Sequence, residues 1–286
     1  MIIKSYAKVN LFLYVTGKKG DGYHTLFSLM SEIGLCDEIE LKFNRNGISV
    51  FCDSPDIPSD HTNLAYIAAD MFYKKTSITG EVEIILKKKI PSGAGLGGGS
   101  GNAASILKEL NSYYDNPLSF EELIGLGLRI GADVPFFLFG CSAIAEGVGE
   151  KLSKCSVKKY YVVLIYPGVS VSTGTIFKKL NLTLTKCSKK IKELLLWEKK
   201  QKIPFDVKTH LWNDLEIVTT DICPEIDEAK GALIKSGTDD VLMTGSGSAV
   251  FGLFDNEKTA NEGFEFLNKF KLKSHKNWQI FLTKLK

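Results

Sequence analysis

The stretch that decides the fold reads Pro91-Ser92-Gly93-Ala94-Gly95-Leu96-Gly97-Gly98-Gly99-Ser100-Gly101-Asn102. Before it, apolar residues alternate over residues 82–86, which predicts a β-strand with one face more buried than the other. After it, apolar residues recur at helical spacing from Ala103 onward. We expect Ser100 or Asn102 to cap the first turn of that helix. The glycines therefore lie at a strand-to-helix junction.

Glycine at such a junction favours the binding of an anion. Residues without Cβ let backbone N–H groups approach a phosphate closely. A helix N-terminus adds unpaired N–H donors and the positive end of the helix dipole. The stretch from Pro91 to Gly101 is therefore predicted to hold phosphates, and a nucleoside triphosphate is its natural ligand.

Two familiar phosphate-binding patterns fit this stretch poorly. A Walker A loop ends in Gly-Lys-Ser/Thr, whereas the corresponding residues here are Gly99-Ser100-Gly101. Gly93, Gly95 and Gly98 match the dinucleotide pattern G-x-G-x-x-G, which also expects an acidic residue about 20 positions on. Asp115, the acidic residue at a comparable distance, lies in a segment whose sequence predicts a turn. A flexible glycine-rich loop without a ligand is the remaining alternative.

Composition bounds the class of protein. A chain of 286 residues with 44% hydrophobic content favours two domains, which we expect at residues 1–155 and 156–286. The net charge of +3 gives no indication of a nucleic-acid partner. The longest apolar run, residues 160–166, is too short to cross a membrane, and residues 1–6 carry no secretion signal. We expect a soluble, cytoplasmic protein.

Cysteine and histidine give no metal pattern. The six cysteines form no C-x-x-C pair, and the four histidines show no H-E-x-x-H or similar spacing. We therefore expect reduced thiols and no transition metal held by protein ligands.

The first apolar segment predicts a strand over residues 7–15, with the side chains of Lys8 and Asn10 on the same face about 7 Å apart. A turn signal, Gly20-Asp21-Gly22, precedes Tyr23-His24.

Three further segments have clear patterns. Residues 63–73 have helical spacing. The lysine-rich segment 186–202 is typical of a solvated helix face and is less consistent with nucleic-acid binding. A second glycine turn, residues 244–248, indicates a hairpin or a turn that lines a substrate.

Taken together, these segments resemble the motifs of the galactokinase, homoserine kinase, mevalonate kinase and phosphomevalonate kinase (GHMP) superfamily. The similarity is greatest to the branch that acts on the cytidine diphosphate ester of methylerythritol, in the non-mevalonate isoprenoid pathway. It covers nearly the whole chain and is strongest up to about Phe177. The motifs are Ala7-Lys8-Val9-Asn10-Leu11-Phe12-Leu13, Asp21-Gly22-Tyr23-His24, Gly95-Leu96-Gly97-Gly98-Gly99-Ser100 and Gly131-Ala132-Asp133-Val134-Pro135.

The resemblance implies an α+β fold with two domains. An N-terminal mixed α/β domain would carry the ATP loop, a C-terminal domain would be ferredoxin-like, and the active site would lie in the cleft between them. It implies transfer of the ATP γ-phosphoryl group to the 2-hydroxyl of the cytidine diphosphate ester, with Mg²⁺ as the companion ion. The partners would be these small molecules, without nucleic acid or membrane, and the protein would be a monomer or a homodimer.

The resemblance also implies catalytic roles for individual residues. Asp133 would be the base, and Lys8 would pair with it and stabilise the charge that develops during transfer. Asn10 would position the erythritol hydroxyl groups.

Three residues would recognise the cytosine base in the same way. Tyr23 would stack on the ring, His24 would form a hydrogen bond with its polar edge, and Phe177 would cover the opposite face.

The nucleotide contacts are implied in the same way. The loop from Pro91 to Gly101 would hold the phosphates, Asn63 and Lys88 would contact the adenine side, and Ser100 is the candidate metal ligand. The family usually carries a second serine where this chain has Gly101. We expect activity to persist, because a glycine keeps its backbone N–H donor.

Each residue also has a structural interpretation, and the protein has other candidate functions. Asp133 could cap a short helix, Lys8 could lie on the surface, and Tyr23 and His24 could be an ordinary turn. Homoserine and mevalonate kinases would act on an alcohol without a base. A ligand-sensing paralogue would need neither Lys8 nor Asp133, and a dinucleotide-dependent oxidoreductase is the most distant alternative.

Overall fold

The computed structural model describes residues 1–20, 22–43, 47–180, 193, 204–274 and 276–286. The chain forms two compact units, each discontinuous in sequence. Unit 1 comprises Met1–Ala7, Leu35–Ser92 and Gly97–Gly140, and unit 2 comprises Lys8–Gly34, Gly93–Leu96 and Cys141–Lys286. The predicted division of the chain at residue 155 stays a prediction.

Unit 1 contains strands from three parts of the chain. The C-terminal part of β2 (His24–Phe43) pairs antiparallel with β4 (Val82–Lys87), and β4 pairs parallel with β3 (Ile48–Cys52). Along β4, the alternate residues from Val82 onward are buried. The strand predicted before the glycine loop is therefore confirmed.

The helices of unit 1 follow these strands. They are α1 (Leu64–Thr76), α2 (Gly98–Tyr113), α3 (Phe120–Ile130) and α4 (Val134–Phe139), with α1, α3 and α4 packed on α2. The prediction of a helix over residues 63–73 is confirmed. The predicted cap of α2 is wrong, because the helix begins at Gly98 and Gly97 occupies the capping position without a side-chain hydrogen bond. Ser100 and Asn102 lie inside the helix.

Unit 2 contains the larger part of β1 (Ile2–Lys18) and the N-terminal part of β2. Every residue from position 7 to position 15 is buried, so both faces of the predicted first strand are covered. β1 pairs parallel with β8 (Trp212–Asn213), β2 pairs antiparallel with β5 (Ala143–Gly147), and β5 pairs with β6 (Lys151–Lys154).

Unit 2 also contains a four-stranded antiparallel sheet, whose strands are in the order β11 (Gln279–Lys284), β7 (Tyr161–Tyr166), β10 (Val250–Phe254) and β9 (Val241–Met243). Its strand order and intervening helices make the ferredoxin-like arrangement predicted for the C-terminal part. Its core includes Val163, Ile226, Leu267 and Trp278. The elements are β7 (Tyr161–Tyr166), α5 (Thr173–Lys179), a 3₁₀ helix (Lys208–His210), α6 (Asp214–Thr220), α7 (Glu225–Lys235), β9 (Val241–Met243), β10 (Val250–Phe254), α8 (Glu257–Ser274) and β11 (Gln279–Lys284).

Two sequence interpretations fall partly or wholly outside this description. Asp21 of the predicted turn and nearly all of the lysine-rich segment 186–202 lie outside the described residues. Over the residues that are described, none of the helices has the length and apolar character needed to cross a bilayer.

Gly101 lies where α2 meets the beginning of β1. A Cβ at this position would lie 2.9 Å from the Tyr6 carbonyl oxygen and 3.0 Å from Ser5 Oγ. A serine side chain here would therefore point towards β1. A side chain at position 101 would thus require Tyr6 or α2 to shift.

We predict that Gly101→Ser lowers the free energy of unfolding by about 1–3 kcal/mol, because overpacking forces the backbone apart. Gly125→Ser is the matched control, since Gly125 lies in α3 with no atom within 4 Å of an added Cβ. It should stabilise the protein by a few tenths of a kcal/mol, roughly the difference in helix propensity. Urea unfolding measures both variants, and equal stability of the two would contradict the packing explanation.

Candidate active site

The glycine loop adopts a backbone that other residues avoid. Gly93, Gly95 and Gly97 have φ values of +65°, +77° and +70°. Gly97 leads directly into α2, whose N-terminus has no side-chain cap. Because the first N–H groups of a helix have no partners within the helix, this end of α2 suits a negatively charged ligand.

Lys8 is buried and holds part of this loop. Lys8 is only 3% exposed. Its Nζ donates to the Gly95 carbonyl oxygen at 2.9 Å and to Asn10 Oδ1 at 2.7 Å. The backbone N–H of Lys8 donates to the Leu96 carbonyl oxygen at 3.0 Å. The alternative of a surface lysine is therefore wrong.

Asn10 is oriented from the other side. Its Nδ2 donates to Ser28 Oγ at 2.8 Å, and that hydroxyl donates to the Phe12 carbonyl oxygen at 2.7 Å. As the strand period predicts, Lys8 and Asn10 lie side by side. The structure therefore brings these two predicted site residues into direct contact, and their chemical roles stay predictions.

The second glycine turn connects β9 and β10, which pair antiparallel, so the predicted hairpin is confirmed. Thr244 Oγ1 accepts from the Asn10 N–H at 2.9 Å, and the Ala249 N–H donates to the Ala94 carbonyl oxygen at 3.1 Å. A Cβ on Gly245 would lie 2.8 Å from the Gly95 carbonyl oxygen and 3.2 Å from Lys8 Nζ. The hairpin turn thus packs against both the glycine loop and Lys8.

Asn213 holds this hairpin turn and was missed from the sequence. Its Nδ2 donates to the carbonyl oxygens of Met243 at 2.9 Å and Gly245 at 2.8 Å, while Oδ1 accepts from the Leu215 N–H at 3.0 Å. A polar residue before a helical segment signals a helix cap. No local sequence pattern indicates that Asn213 also binds two carbonyl groups, because these lie about 30 residues further along the chain.

The residues predicted to bind a base also lie in unit 2. His24 begins β2 and Phe177 lies on α5, and their rings stack with centroids 5.0 Å apart. Tyr23 directly precedes β2 and is 63% exposed. One face of the Phe177 ring is therefore covered by the imidazole of His24.

Burial and the nearby Lys18 cation both lower the pKa of His24 from its ordinary value of 6.5. The neutral imidazole therefore predominates at neutral pH. A neutral imidazole carries one N–H donor and one acceptor nitrogen, a combination that suits the edge of a nucleobase.

Asp133 occupies the capping position of α4, yet its carboxylate makes no capping hydrogen bond. It is half-buried, and Pro135 follows in the first turn of the helix. The structure therefore gives no support to the capping interpretation. Asp133 belongs to unit 1 and Lys8 to unit 2, and their predicted pairing stays a prediction.

Asn63 and Lys88 already have protein partners. Asn63 caps α1 by accepting from the Ala65 N–H at 2.9 Å, and it donates to the Pro58 carbonyl oxygen at 2.7 Å. Lys88 forms a buried ion pair with Asp37 and donates to an asparagine of α2. Their predicted contacts with adenine stay predictions.

The candidate Mg²⁺ ligands in unit 1 are side chains that offer oxygen atoms to the ion. Among the described residues, no group of three or more His, Cys, Asp or Glu side chains could hold a metal ion. Mg²⁺ commonly binds one or two protein oxygens together with substrate phosphates and water, so it needs no such group. Ser100 Oγ lies 3.7 Å from the Cβ position of Gly131, two residues before Asp133. Hydroxyl and carboxylate oxygens are ligands of the kind that Mg²⁺ takes, and the role of Ser100 as a metal ligand stays a prediction.

Comparison with known proteins shows the family of this chain. Residues 63–141 match the family described as "GHMP kinases N terminal domain", and residues 207–272 match "GHMP kinases C terminal". The "4-diphosphocytidyl-2-C-methyl-D-erythritol kinase" of Desulfotalea psychrophila is 42% identical over 258 residues, 88% of this chain and 85% of that protein. The chain belongs to the 4-diphosphocytidyl-2-C-methyl-D-erythritol kinase family of GHMP kinases.

Further comparisons extend over the full length of the chain. The kinase of the same name from Acetivibrio thermocellus is 37% identical and covers 98% of this chain and 97% of its own. A crystal structure titled as 4-(cytidine 5'-diphospho)-2C-methyl-D-erythritol kinase is 32% identical, covers all of both chains and has a TM-score of 0.79. The homoserine kinase of Cytophaga hutchinsonii is 18% identical with a TM-score of 0.67, covers 98% of this chain and 94% of its own, and shows the fold alone.

These findings confirm the predicted GHMP kinase fold and the prediction that the protein is a kinase. They say nothing about individual side chains. Thr244 and Asn213 become part of the candidate site only through the contacts described above.

We predict that Asn213→Ala lowers the free energy of unfolding by about 3 kcal/mol, because it removes a cap and leaves two carbonyl groups without their donor. Asn256→Ala is the matched control. Asn256 accepts from the Thr259 N–H at 3.0 Å at the start of α8 and is exposed. Its loss should cost about 1 kcal/mol, the typical value of a cap.

The two variants should also differ in activity. Asn213→Ala should lower kcat/KM by about tenfold or more, since displacement of site residues by 1 Å costs on the order of 10²-fold. Asn256→Ala should retain wild-type kinetics. Steady-state assays below the unfolding temperature compare them, and unchanged kinetics in Asn213→Ala would show that the hairpin does not depend on this asparagine.

Proposed function

We propose that this protein transfers the γ-phosphoryl group of ATP to the 2-hydroxyl of 4-diphosphocytidyl-2-C-methyl-D-erythritol, giving the 2-phosphate and ADP. The observation that carries the proposal is Lys8, buried and held between the glycine loop and Asn10. A cation in that position suits phosphoryl transfer, and relatives of this chain bear the name of that kinase.

The phosphates of ATP would bind at the N-terminus of α2. The positive φ values of the loop leave backbone N–H groups unobstructed by side chains, and Gly97 leaves the helix end uncapped. Mg²⁺, when bound, would neutralise charge on the phosphate oxygens, with Ser100 and Asp133 as the oxygen donors nearby.

Asp133 would act as the general base. The 2-hydroxyl oxygen attacks the γ-phosphorus, the bond from that phosphorus to the β,γ-bridging oxygen breaks, and ADP leaves with the electron pair. The hydroxyl proton passes to the Asp133 carboxylate. A carboxylate is one of the groups that commonly accept the proton of an attacking hydroxyl, and in phosphoryl transfer an aspartate takes this role.

Lys8 would stabilise the negative charge of the transferring group. Its ammonium carries three N–H donors, of which two are directed to Gly95 and Asn10. These contacts fix the direction of the side chain before substrate binds, and a preorganised cation needs no reorganisation during the reaction. Asn10, fixed by Ser28 and Thr244, would orient the hydroxyl groups of the acceptor.

The acceptor base would be recognised by Tyr23, His24 and Phe177. Flat aromatic faces suit stacking on cytosine, and the neutral imidazole of His24 can pair with the polar edge of the ring. Homoserine and mevalonate carry no base, so a sister kinase for those alcohols would have no use for this group. A ligand-sensing paralogue is the second candidate, and catalytic turnover distinguishes it.

We predict that ADP release is fast with the cytidine diphosphate ester and negligible with homoserine or mevalonate.

Asp133→Asn should bind ATP and the ester within a few-fold of wild type and turn over about 10²–10⁴-fold more slowly, the usual contribution of a general base. Asp70→Asn is the control, because Asp70 is a surface residue of α1 paired with Lys74. Phosphorylation of mevalonate in place of the ester would contradict the proposal, and full activity of Asp133→Asn would exclude that residue as the base.

We predict that the KM for the cytidine ester depends on pH through His24. Its pKa lies below 6.5, so the imidazole stays neutral above that pH and KM should be constant there. As the pH falls through the lowered pKa, the ring gains a proton, loses its acceptor nitrogen, and KM should rise. His24→Gln, which has no charge change in this range, should show a flat profile in the same titration of KM against pH. A wild-type KM that stays flat would mean that His24 does not bind the base.

A further inference from the structure

A buried polar cluster in unit 1 connects the two ends of the glycine loop. Asp37 lies on β2, is 0% exposed, and forms an ion pair with Lys88, whose side chain is 6% exposed. The cluster consists of Asp37, Lys88 and Asn102. Of these, only Lys88 has a predicted role above, a contact with the adenine side, and the reaction proposed above does not use Asp37 or Asn102.

The carboxylate of Asp37 binds the chain on the N-terminal side of the loop. Its Oδ1 accepts from the backbone N–H groups of Lys89 at 2.8 Å and Ile90 at 2.9 Å. These residues lie directly after β4 and immediately before Pro91. Two backbone hydrogen bonds therefore fix the point at which the chain enters the loop.

The same carboxylate binds the C-terminal side of the loop. Its Oδ2 accepts from Asn102 Nδ2 at 3.0 Å, and Lys88 Nζ donates to Asn102 Oδ1 at 2.8 Å. Asn102 belongs to α2, which follows the loop. A Cβ on Gly98 would lie 2.9 Å from the Ile90 side chain and 3.5 Å from Lys88 Nζ, so the two ends of the loop are closely packed.

Stability alone gives a poor explanation of this arrangement. Replacement of a buried ion pair by uncharged groups is often neutral or stabilising, because desolvation offsets the attraction between the charges. Buried ionic groups can instead fix one particular geometry of the chain around them. Here that geometry is the distance between the entry and the exit of a phosphate-binding loop.

We propose that Asp37 is a positioning residue that sets the span of the glycine loop and thereby the affinity for the phosphates of ATP, with Lys88 and Asn102 as its partners. This inference rests on the proposed use of ATP. Lys88 then acts through Asp37 and Asn102, and its charge is balanced within the protein.

Binding of a non-hydrolysable ATP analogue with MgCl₂, measured by calorimetric titration without any acceptor, tests the proposal. Asp37→Asn should weaken binding by about tenfold or more. Both oxygens of Asp37 accept hydrogen bonds, so in either orientation of the new amide its NH₂ group faces another donor. Lys88→Met should weaken binding to a similar degree. The double variant should bind within about threefold of wild type, because the Asn102 amide can then turn and pair with the new asparagine.

Asp53→Asn is the matched control for these variants. Asp53 is exposed and accepts from the backbone N–H of Lys88 at 2.9 Å, so it contacts the same segment from the surface. An asparagine oxygen can accept that bond equally well. Binding of the analogue by Asp53→Asn should stay within about twofold of wild type.

The kinetics give a second readout. Asp37→Asn should raise the KM for ATP by about tenfold while kcat and the KM for the acceptor change by less than about threefold. Loss of folded protein alone would lower kcat and leave both KM values unchanged, which would overturn the proposal. If Asp37→Asn does not fold, comparison of the double variant with Lys88→Met decides. Equal, weak binding by those two would show that Lys88 itself binds the nucleotide and would also overturn the proposal.

The acceptor is absent from the titration, so its outcome does not depend on which alcohol is phosphorylated. Failure of wild-type protein to phosphorylate the cytidine ester would contradict the proposed function while leaving the binding comparison intact. Failure of wild-type protein to bind the ATP analogue would overturn both.

Discussion

At Gly95 the backbone of the glycine loop approaches the hairpin turn so closely that an added Cβ would lie 2.3 Å from the Thr244 carbonyl oxygen and 3.1 Å from the Gly247 nitrogen. An added Cβ on Gly245, in the hairpin turn, would lie similarly close to the Gly95 carbonyl oxygen, at 2.8 Å. With side chains excluded at both positions, the two backbones bring the hairpin next to Lys8. The buried position of the Lys8 ammonium, and with it the arrangement of Asn10 and Thr244, depends on this contact between glycines.

Buried charge is the second constraint on the site. A buried ammonium or carboxylate is costly unless it has partners, and both of the buried lysines described here have them. Lys8 donates to a carbonyl oxygen and an amide oxygen, and Lys88 to a carboxylate and an amide oxygen. Each set of partners includes a glycine-loop residue or one next to the loop. The polar groups needed to bury the lysines are thus the same groups that fix the loop.

Local patterns predicted the regular elements well. The alternation over residues 82–86 and the helical spacing over 63–73 each correspond to an observed element, because burial on one side of a strand or helix leaves a periodic pattern in the sequence. The first strand is also observed, although both of its faces are buried over residues 7–15. The cap of α2 was predicted wrongly, since capping preferences favour Ser or Asn whereas Gly97 with its positive φ begins the helix earlier. Asn213 and Asp37 were missed, and the turn at residues 244–248 was found without the contact from Thr244 to Asn10, because the partners lie far away along the chain.

By itself, the sequence determined the strand–loop–helix unit, which follows from the periodicity of neighbouring residues. The ferredoxin-like C-terminal domain and the candidate residues Lys8, Asn10, His24 and Asp133 are what the resemblance of its motifs to the GHMP superfamily implies. Only the tertiary structure decided that Lys8 is buried against Gly95, that Asn213 holds the hairpin turn, and that Asp37 connects both ends of the glycine loop. The physical reason is that hydrogen bonds of buried groups are satisfied by whichever donors and acceptors the fold brings near, and sequence distance does not restrict that choice.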